Sequence, residues 1–301
     1  MKLLWNEEDI TQEIDITGLL YGDYAGGHAD KVFLKCLNVN HLAFAKKDVL
    51  KVEKDGINTG NLYISEISKK GDIYTMKALS TKTKQLDSNV FIKDRITLYE
   101  LAEQAAKDLG CTLVMKEVQN QLYDYKEQIL VDKIKFLTHI CELEGILIKI
   151  NHDRLILMNE KAVENMDSVL ELEEEDFIQT PEFLTKDSGL LSCVENSYYY
   201  KNMHFQATVY SNRPGKKLVV RHMCDSMNEC QRICKNIMRN ANKNEFTGSG
   251  IILNQGLQAA DNIMIHTDGI FAGKYFIFKV VHDLINETQK LYFRKPIEGD
   301  Y

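Results

Sequence analysis

The sequence predicts a mainly-β chain of the α+β class, in which two β segments of small-barrel type flank a compact α/β module and a helix packs on the second segment. Three observations carry that prediction. Period-two alternation of apolar and polar residues, punctuated by turn signals, runs through the first 85 residues. Two matched units, Thr97 to Met115 and Asp132 to Ile150, stand in the middle with starts 35 residues apart. From Leu190 onward strands resume and are broken once by an amphipathic stretch after Ser226. The expected divisions are 1–85, 86–160 and 161–301, with the late helix at about 226–241.

In the first segment Ile14 and Ile16 alternate with polar residues, and Val32-Phe33-Leu34 precedes Cys36. A turn at Lys54-Asp55-Gly56 leads to Leu62, Ile64 and Ile67. A second turn, Lys69-Lys70-Gly71-Asp72, leads to Tyr74, Met76 and Ala78-Leu79, alternating with Thr75 and Lys77. This is the pattern of a meander closing into a small barrel. The stretch Gly22 to His28 reads as a loop, because neither a helix start nor a Lys-Ser/Thr pair follows it to complete a phosphate cradle.

Each middle unit is a capped helix running into a glycine and then an apolar strand. Thr97 with Glu100 forms a capping box, and Asp132 is a good N-cap. Gly110 and Gly145 end the helices ahead of Cys111 to Met115 and Ile146 to Ile150.

The third segment opens acidic, densest at Glu171-Leu172-Glu173-Glu174-Glu175-Asp176. The alternating oxygen ligands and central glycine of a Ca²⁺ loop are missing, so a solvated strand edge or linker is expected. Strands follow at Leu190 to Tyr200, His204 to Tyr210 and Lys217 to Val220, with turns at Lys201-Asn202 and Ser211 to Gly215. Tyr198-Tyr199-Tyr200 could stack bases, but on a strand it alternates between a core face and an exposed rim. Ser226 and Glu229 have capping-box spacing, which predicts a helix lying across a barrel. Cys230, Ile233, Cys234, Ile237 and Met238 then share one apolar stripe. His222, Cys224, Cys230 and Cys234 offer four zinc-ligand types, yet zinc ligands usually sit on a knuckle or turn, whereas two of these lie on that stripe. Core thiols are the expectation.

At 301 residues and 44% hydrophobic, the chain is long for one domain, and two or three are expected. No run approaches the roughly 20 apolar residues of a membrane helix, and Met1 to Glu13 lacks a signal-peptide layout. Seven cysteines without a Cys-x-x-Cys pair suit a reducing compartment, and Asn286-Glu287-Thr288 is a sequon by pattern only. The net charge of −7 argues against a general nucleic-acid binder, though not against walls that DNA slides past. No hydrolase elbow, metalloprotease helix, Walker loop or dinucleotide fingerprint is present. His282 and Asp283 point to opposite faces of a strand, and His139 beside Cys141 lies within a helix, so neither pair makes a catalytic dyad. Catalytic, cofactor-binding and metal-binding residues are all expected to be none.

Three stretches carry a resemblance. Asp55-Gly56, Gly60 to Ile67 and Ala78 to Thr81 resemble the first barrel of the phage late control protein D family, the hub proteins of contractile tails. Asp132, Phe136-Leu137, Glu144-Gly145 and Ile146 to Ile150 resemble that family's inserted α/β segment. Glu229 to Asn242, Thr247 to Gly250, Asp261-Asn262-Ile263 and Gly273 to His282 resemble its second barrel, with helix and closing strands. The resemblance spans nearly the whole chain and lies in the order and spacing of these stretches. It implies two tail-tube-like barrels per subunit in a homotrimer, a ring that adapts a six-fold tube to a three-fold spike. The implied partners are further copies of the chain, the tail tube protein, the spike protein, other baseplate proteins and a tape-measure protein, without membrane insertion or specific nucleic-acid binding. Synthesis in the bacterial cytoplasm and assembly into the baseplate of a virion or headless bacteriocin-like particle follow from the same resemblance.

Two departures qualify the pattern. The usual Pro-Gly-Asp turn appears as Ala260-Asp261-Asn262, and nothing follows Tyr301, so a fused spike or enzymatic domain is expected on other chains. The alternatives are a spike-type or effector module, which would carry a β-prism tail, and a peptidoglycan-binding or hydrolytic tail protein. Overall acidity leads to the expectation that pore-facing positions carry no net positive charge, with Lys46-Lys47 and Lys216-Lys217 on outer surfaces.

Overall fold

The computed structural model describes residues 1–38, 40–81, 89–131 and 133–297. Among them four α-helices stand against twenty-two strands, so the chain is mainly β, as its alternation predicts. The first segment contains β1 (Lys2–Trp5), β2 (Glu8–Asp9), β3 (Asp15–Tyr24), β4 (Lys31–Leu37), β5 (Val49–Lys54), β6 (Ile57–Asn58), β7 (Leu62–Lys70) and β8 (Ile73–Leu79). They pair in the order β3-β4-β8-β7-β5-β1-β2. Alternation sets the core directly: Val32, Leu34 and Cys36 of β4 are fully buried, while Phe33 and Lys35 face out. Asp55 and Gly56 both take positive φ, which a two-residue hairpin turn needs.

The glycine-rich stretch is only partly a loop. Gly22, Asp23 and Tyr24 end β3 and pair with a strand from the far end of the chain. The absence of phosphate-cradle chemistry was legible, but the distant partner was not.

The middle segment contains β9 (Asn89–Thr97), α1 (Leu98–Leu109), β10 (Thr112–Lys116), β11 (Leu122–Val131), α2 (Lys133–Glu144), β12 (Ile146–Asn151), β13 (Arg154–Asn159) and α3 (Glu160–Asn165). The capping box at Thr97 and Glu100 is formed, and Gly110 is left-handed. The N-cap expected at Asp132 lies outside the described residues. The matched units flank one strand: β10 runs parallel to β13 and β12 antiparallel to it. Their helices bury Leu101, Ala105, Leu137 and Ile140 in one core with Ile148 and Leu157.

The last segment contains β14 (Leu170–Glu173), a 3-10 turn (Glu174–Asp176), β15 (Phe177–Thr185), β16 (Leu191–Tyr200), β17 (Met203–Tyr210), β18 (Lys216–Val220), α4 (Met227–Asn242), β19 (Phe246–Leu253), β20 (Asn262–His266), β21 (Gly273–Asp283) and β22 (Thr288–Arg294). Strands β15, β19, β22, β21 and β20 enclose a core around Ile263, Tyr275, Leu291 and Phe293. Gly248 and Gly250 let rings lie against the backbone, since a Cβ there would meet Phe293 at 2.4 Å and Phe177 at 2.3 Å. The acidic run is a strand edge as expected: β14 pairs only with β20 among the described strands, and Leu172 alone of the run is buried.

Strand β21 joins the two ends of the chain. Its first half, Gly273 to Phe276, pairs with β20, and after an irregularity at Phe278 its second half, Lys279 to Asp283, pairs with Leu20 to Tyr24 of β3. Both β segments therefore belong to one continuous sheet. Leu284 leaves β21 to pack in the first core, and Lys54 donates to its carbonyl at 2.7 Å.

Candidate functional site

Two buried polar joints and several open surfaces are the places where this fold can do work. The first joint sits where β3, β12 and the loop before β20 meet. Asp23 and Lys149 form an ion pair of 2.6 Å with side chains 3% and 8% exposed. Each also holds Ala259, Asp23 accepting from its N–H at 2.8 Å and Lys149 donating to its carbonyl at 3.0 Å. Asp30 accepts from Tyr21 at 3.0 Å and from the Tyr24 N–H. Burial, reinforced by the Asp23 charge, raises the Asp30 carboxyl well above the usual range. A cavity of about 400 Å³ opens beside this cluster, lined by Lys116, His152, Arg154 and Gln258 together with buried His282.

His282 and Asp283 point apart, as the strand reading requires. His282 is 2% exposed and lies against Tyr21, and burial lowers its pKa to about 4. Asp283 instead accepts from the N–H groups of Ile285 and Asn286 in the following turn. His139 does not form a dyad with Cys141 either; its ring lies 5.6 Å from that of His222.

The second joint is built on α4. Glu229, Arg232, Asn236, Arg239 and Lys243 recur at three- and four-residue steps and face the middle segment. Glu229 pairs with Lys126 at 2.9 Å and Arg232 with Glu144 at 2.6 Å. Asn236 donates to the Leu143 carbonyl at the end of α2, satisfying a helix-terminal acceptor. Gly145 is doubly required there, with φ of +68° and Asn236 Oδ1 only 2.6 Å from where a Cβ would stand. Arg239 and Lys243 converge on Glu160 with Arg294, and Arg239 and Arg294 also bind Glu164. The polar stripe of α4 follows the same periodicity as its apolar one, but the residues it pairs with lie far away in the sequence.

The helix cap shows what such a joint does to a local motif. Ser226 accepts from the Glu229 N–H, but the Glu229 carboxylate reaches Lys126 and the Asp225 N–H rather than Ser226. The expected capping box is therefore half formed, because Lys126 takes one oxygen of the carboxylate and the Asp225 N–H takes the other.

The apolar stripe of α4 packs on β16 and β17. Cys230, Cys234 and Met238 are fully buried against Val194, Ala207 and Phe205. Asn196 Nδ2 donates toward the sulfurs of Cys224 at 3.7 Å and Cys230 at 3.5 Å, and Cys234 donates to the Ala207 carbonyl. Burial pushes the Cys224 thiol up to about 12 and Cys234 up to about 11. Among the described residues no three His, Cys, Asp or Glu side chains are arranged around a metal position. Alkylating reagents at pH 8 are expected to leave these thiols untouched in the native protein and modify them in denaturant. Changing Cys230 and Cys234 together to Ala should destabilise the fold by on the order of 1–2 kcal/mol. Stoichiometric zinc by elemental analysis, or fast native alkylation of these thiols, would contradict this account.

The open surfaces have distinct characters. Tyr198 packs inward while Tyr199 is 72% exposed and lies stacked 4.3 Å from His204, the alternation expected of that run. The two ends of the long sheet differ. Strand β2 is two acidic residues long, a blunted edge, whereas β15 is nine residues long, interrupted by Pro181 and two register irregularities, and leaves Ile178 and Leu184 more than half exposed.

No protein-family model matches the sequence, and no match is found among curated proteins. Solved structures do match. The 43 kDa tail protein of prophage MuSo2 from Shewanella oneidensis superposes with a TM-score of 0.75 at 9% identity, covering 97% of each chain. A tail protein from Neisseria meningitidis gives 0.72 at 13% identity over 98% of this chain and 96% of that one. An Escherichia coli component of the type VI secretion system, described as similar to the phage T4 tail proteins gp27 and gp5, gives 0.63 at 10% identity over 99% and 78%. The chain thus has, end to end, the fold of prophage tail proteins, which is the architecture that the resemblance in its sequence implied.

Proposed function

We propose that this chain is the structural hub of a contractile tail or tail-like injection particle, a homotrimer that joins the tail tube to the spike within the baseplate. The reading is mechanical rather than catalytic, and its subunit divides near 1–85, 86–160 and 161–301. The observation that carries it is the pairing of β3 with β21, which fuses the first and last β segments into one sheet within a fold shared over 97% of both chains with a prophage tail protein. Two barrels held in fixed register by shared backbone hydrogen bonds give each subunit two quasi-equivalent elements. Three such subunits supply the six positions that a six-fold tube requires.

The edge β15 supports the same reading. Pro181 and two register irregularities interrupt this edge, but Glu182 to Thr185 keeps a regular register, and exposed Ile178 and Leu184 give a partner apolar surface to cover. Light scattering of the purified chain mixed with its tube and spike proteins should therefore give assemblies built on three times 34.6 kDa. The I178K/L184K variant should keep native circular dichroism yet lose assembly. A persistent monomer with both partners present, or unimpaired assembly of that variant, counts against the hub or against β15 as its covered edge, respectively.

A further inference from the structure

The pairing of β3 with β21 brings lysines from opposite ends of the chain onto one face. In register, Lys290 stands opposite Val281, Val281 opposite Gly22, and Gly22 opposite Lys31, so Lys290 and Lys31 share a transverse row three strands apart. At about 4.8 Å per strand that row spans roughly 14 Å. Lys279 lies in the adjacent row opposite Tyr24, and Lys35 lies further along β4 on the same face. The opposite face of these strands holds Leu19, Val32, Leu34, Val280 and Leu291, all fully buried, so the lysine face points outward.

Its charge is predominantly positive. Among the described residues no carboxylate pairs with Lys31, Lys35, Lys279 or Lys290. Of the acidic groups on this face, Glu66 pairs with Lys77 at 2.7 Å, and Asp283 accepts from the amides of its own turn and keeps its charge. Glu182 stands at the far end of the row that runs from Lys279 through Tyr292 and Ser249, so these four lysines face two carboxylates that no ammonium among the described residues neutralises. A chain of net charge −7 thus carries a locally basic face.

The aromatic groups on this face decide what it suits. Tyr24 lies down over Gly22, where a Cβ would meet its ring at 2.9 Å. Lys31 and Lys279 stand over the Tyr24 ring at 5.0 and 5.7 Å, and Lys279 and Lys290 over Tyr292 at 4.1 and 5.3 Å. Lys31 also covers Phe33 at 5.5 Å. Rings covered by ammonium groups are poor platforms for base stacking, but they hold those ammonium groups in place. We propose that this face is a sequence-independent contact surface for the phosphate backbone of duplex DNA. Three ring-held ammonium groups, those of Lys31, Lys279 and Lys290, with Lys35 beside them on β4, displace condensed counterions and supply its affinity. The proposal needs only the folded chain and does not depend on the hub assembly.

Fluorescence anisotropy with a labelled mixed-sequence duplex of about 30 base pairs tests it, the affinity being read against salt concentration. Native protein should bind at low salt with a log–log slope of about −3 to −4, as expected for about four phosphate contacts. The K31Q/K279Q/K290Q variant should bind at least about tenfold more weakly, with a slope smaller by about three and a native circular dichroism spectrum. K216Q/K217Q should bind as native. Absence of native binding at low salt, equal loss in both variants, or binding confined to single strands each overturns the proposal. So does salt-sensitive self-association that the first variant abolishes without any duplex binding, which would make the face a contact between copies.

Discussion

Replacing Arg294 by methionine is expected to destabilise the native state by about 3–5 kcal/mol, the range for removing one partner of a buried ion pair. Its guanidinium reaches Glu160 at 2.9 Å and Glu164 at 2.5 Å, and Arg294 is 2% exposed while both glutamates are at most 3% exposed. Methionine restores volume but leaves the carboxylates short of one charge in a site that water does not reach. Lysine should recover only part of the loss, since a point charge cannot serve two carboxylates as a planar fork does.

The same network predicts an acid limb. Burial works to raise the Glu160 pKa, but Lys243, Arg294 and Arg239 outweigh it and hold the carboxyl at about 2 against an ordinary 4.5. A depressed carboxylate contributes stability that is fully present above the unfolded value and is lost as pH falls through the folded one. Urea midpoints should therefore decline from about pH 4.5 toward 2, by on the order of 3 kcal/mol from this group. In R294M the decline should be shallower. A loss below about 1 kcal/mol with an unaltered acid limb would show that the network does not hold the middle segment to α4 and β22.

Replacing Asp23 by alanine should have a comparable effect, again about 3–5 kcal/mol, because it strands the Lys149 ammonium at 8% exposure and frees the Ala259 N–H. The double variant D23L/K149M should lose much less than the sum of the single changes, since hydrophobic isosteres remove both charges together. His282 adds a second pH window beside the same joint. Burial lowers its pKa to about 4 from 6.5, so the fold keeps the ring neutral and loses stability as pH falls between those values. Denaturation curves at pH 7, 5.5 and 4 of the native chain and H282N give the check: the variant should be flatter over that interval. Additive single and double changes, or identical pH profiles, would show that these groups do not act as one joint.

Much of this was written locally. The capping box at Thr97, the left-handed glycines 110 and 145, the turn at Asp55-Gly56 and the buried stripe of α4 each depend on residues within a few positions of one another. Tyr199 pointing out and Tyr198 in follows from strand geometry alone. The half-formed cap at Ser226 marks the limit of such reading, because its failure is caused by Lys126, 103 residues distant. The polar stripe of α4 had a readable period but no readable partner, since Glu144, Glu160 and Glu164 become neighbours only when the middle segment docks.

The sequence by itself determined the elements, their inward faces and their caps, since the periods of 2.0 and 3.6 residues and the chemistry of helix ends are properties of the local backbone. Tertiary structure alone decided that β3 pairs with β21, that Asp23 meets Lys149, and that lysines 31 and 290 share a row. Any strand of suitable alternation can pair with any other. The choice among them is made by which closure buries both cores at once, a condition on the whole chain that no local window contains.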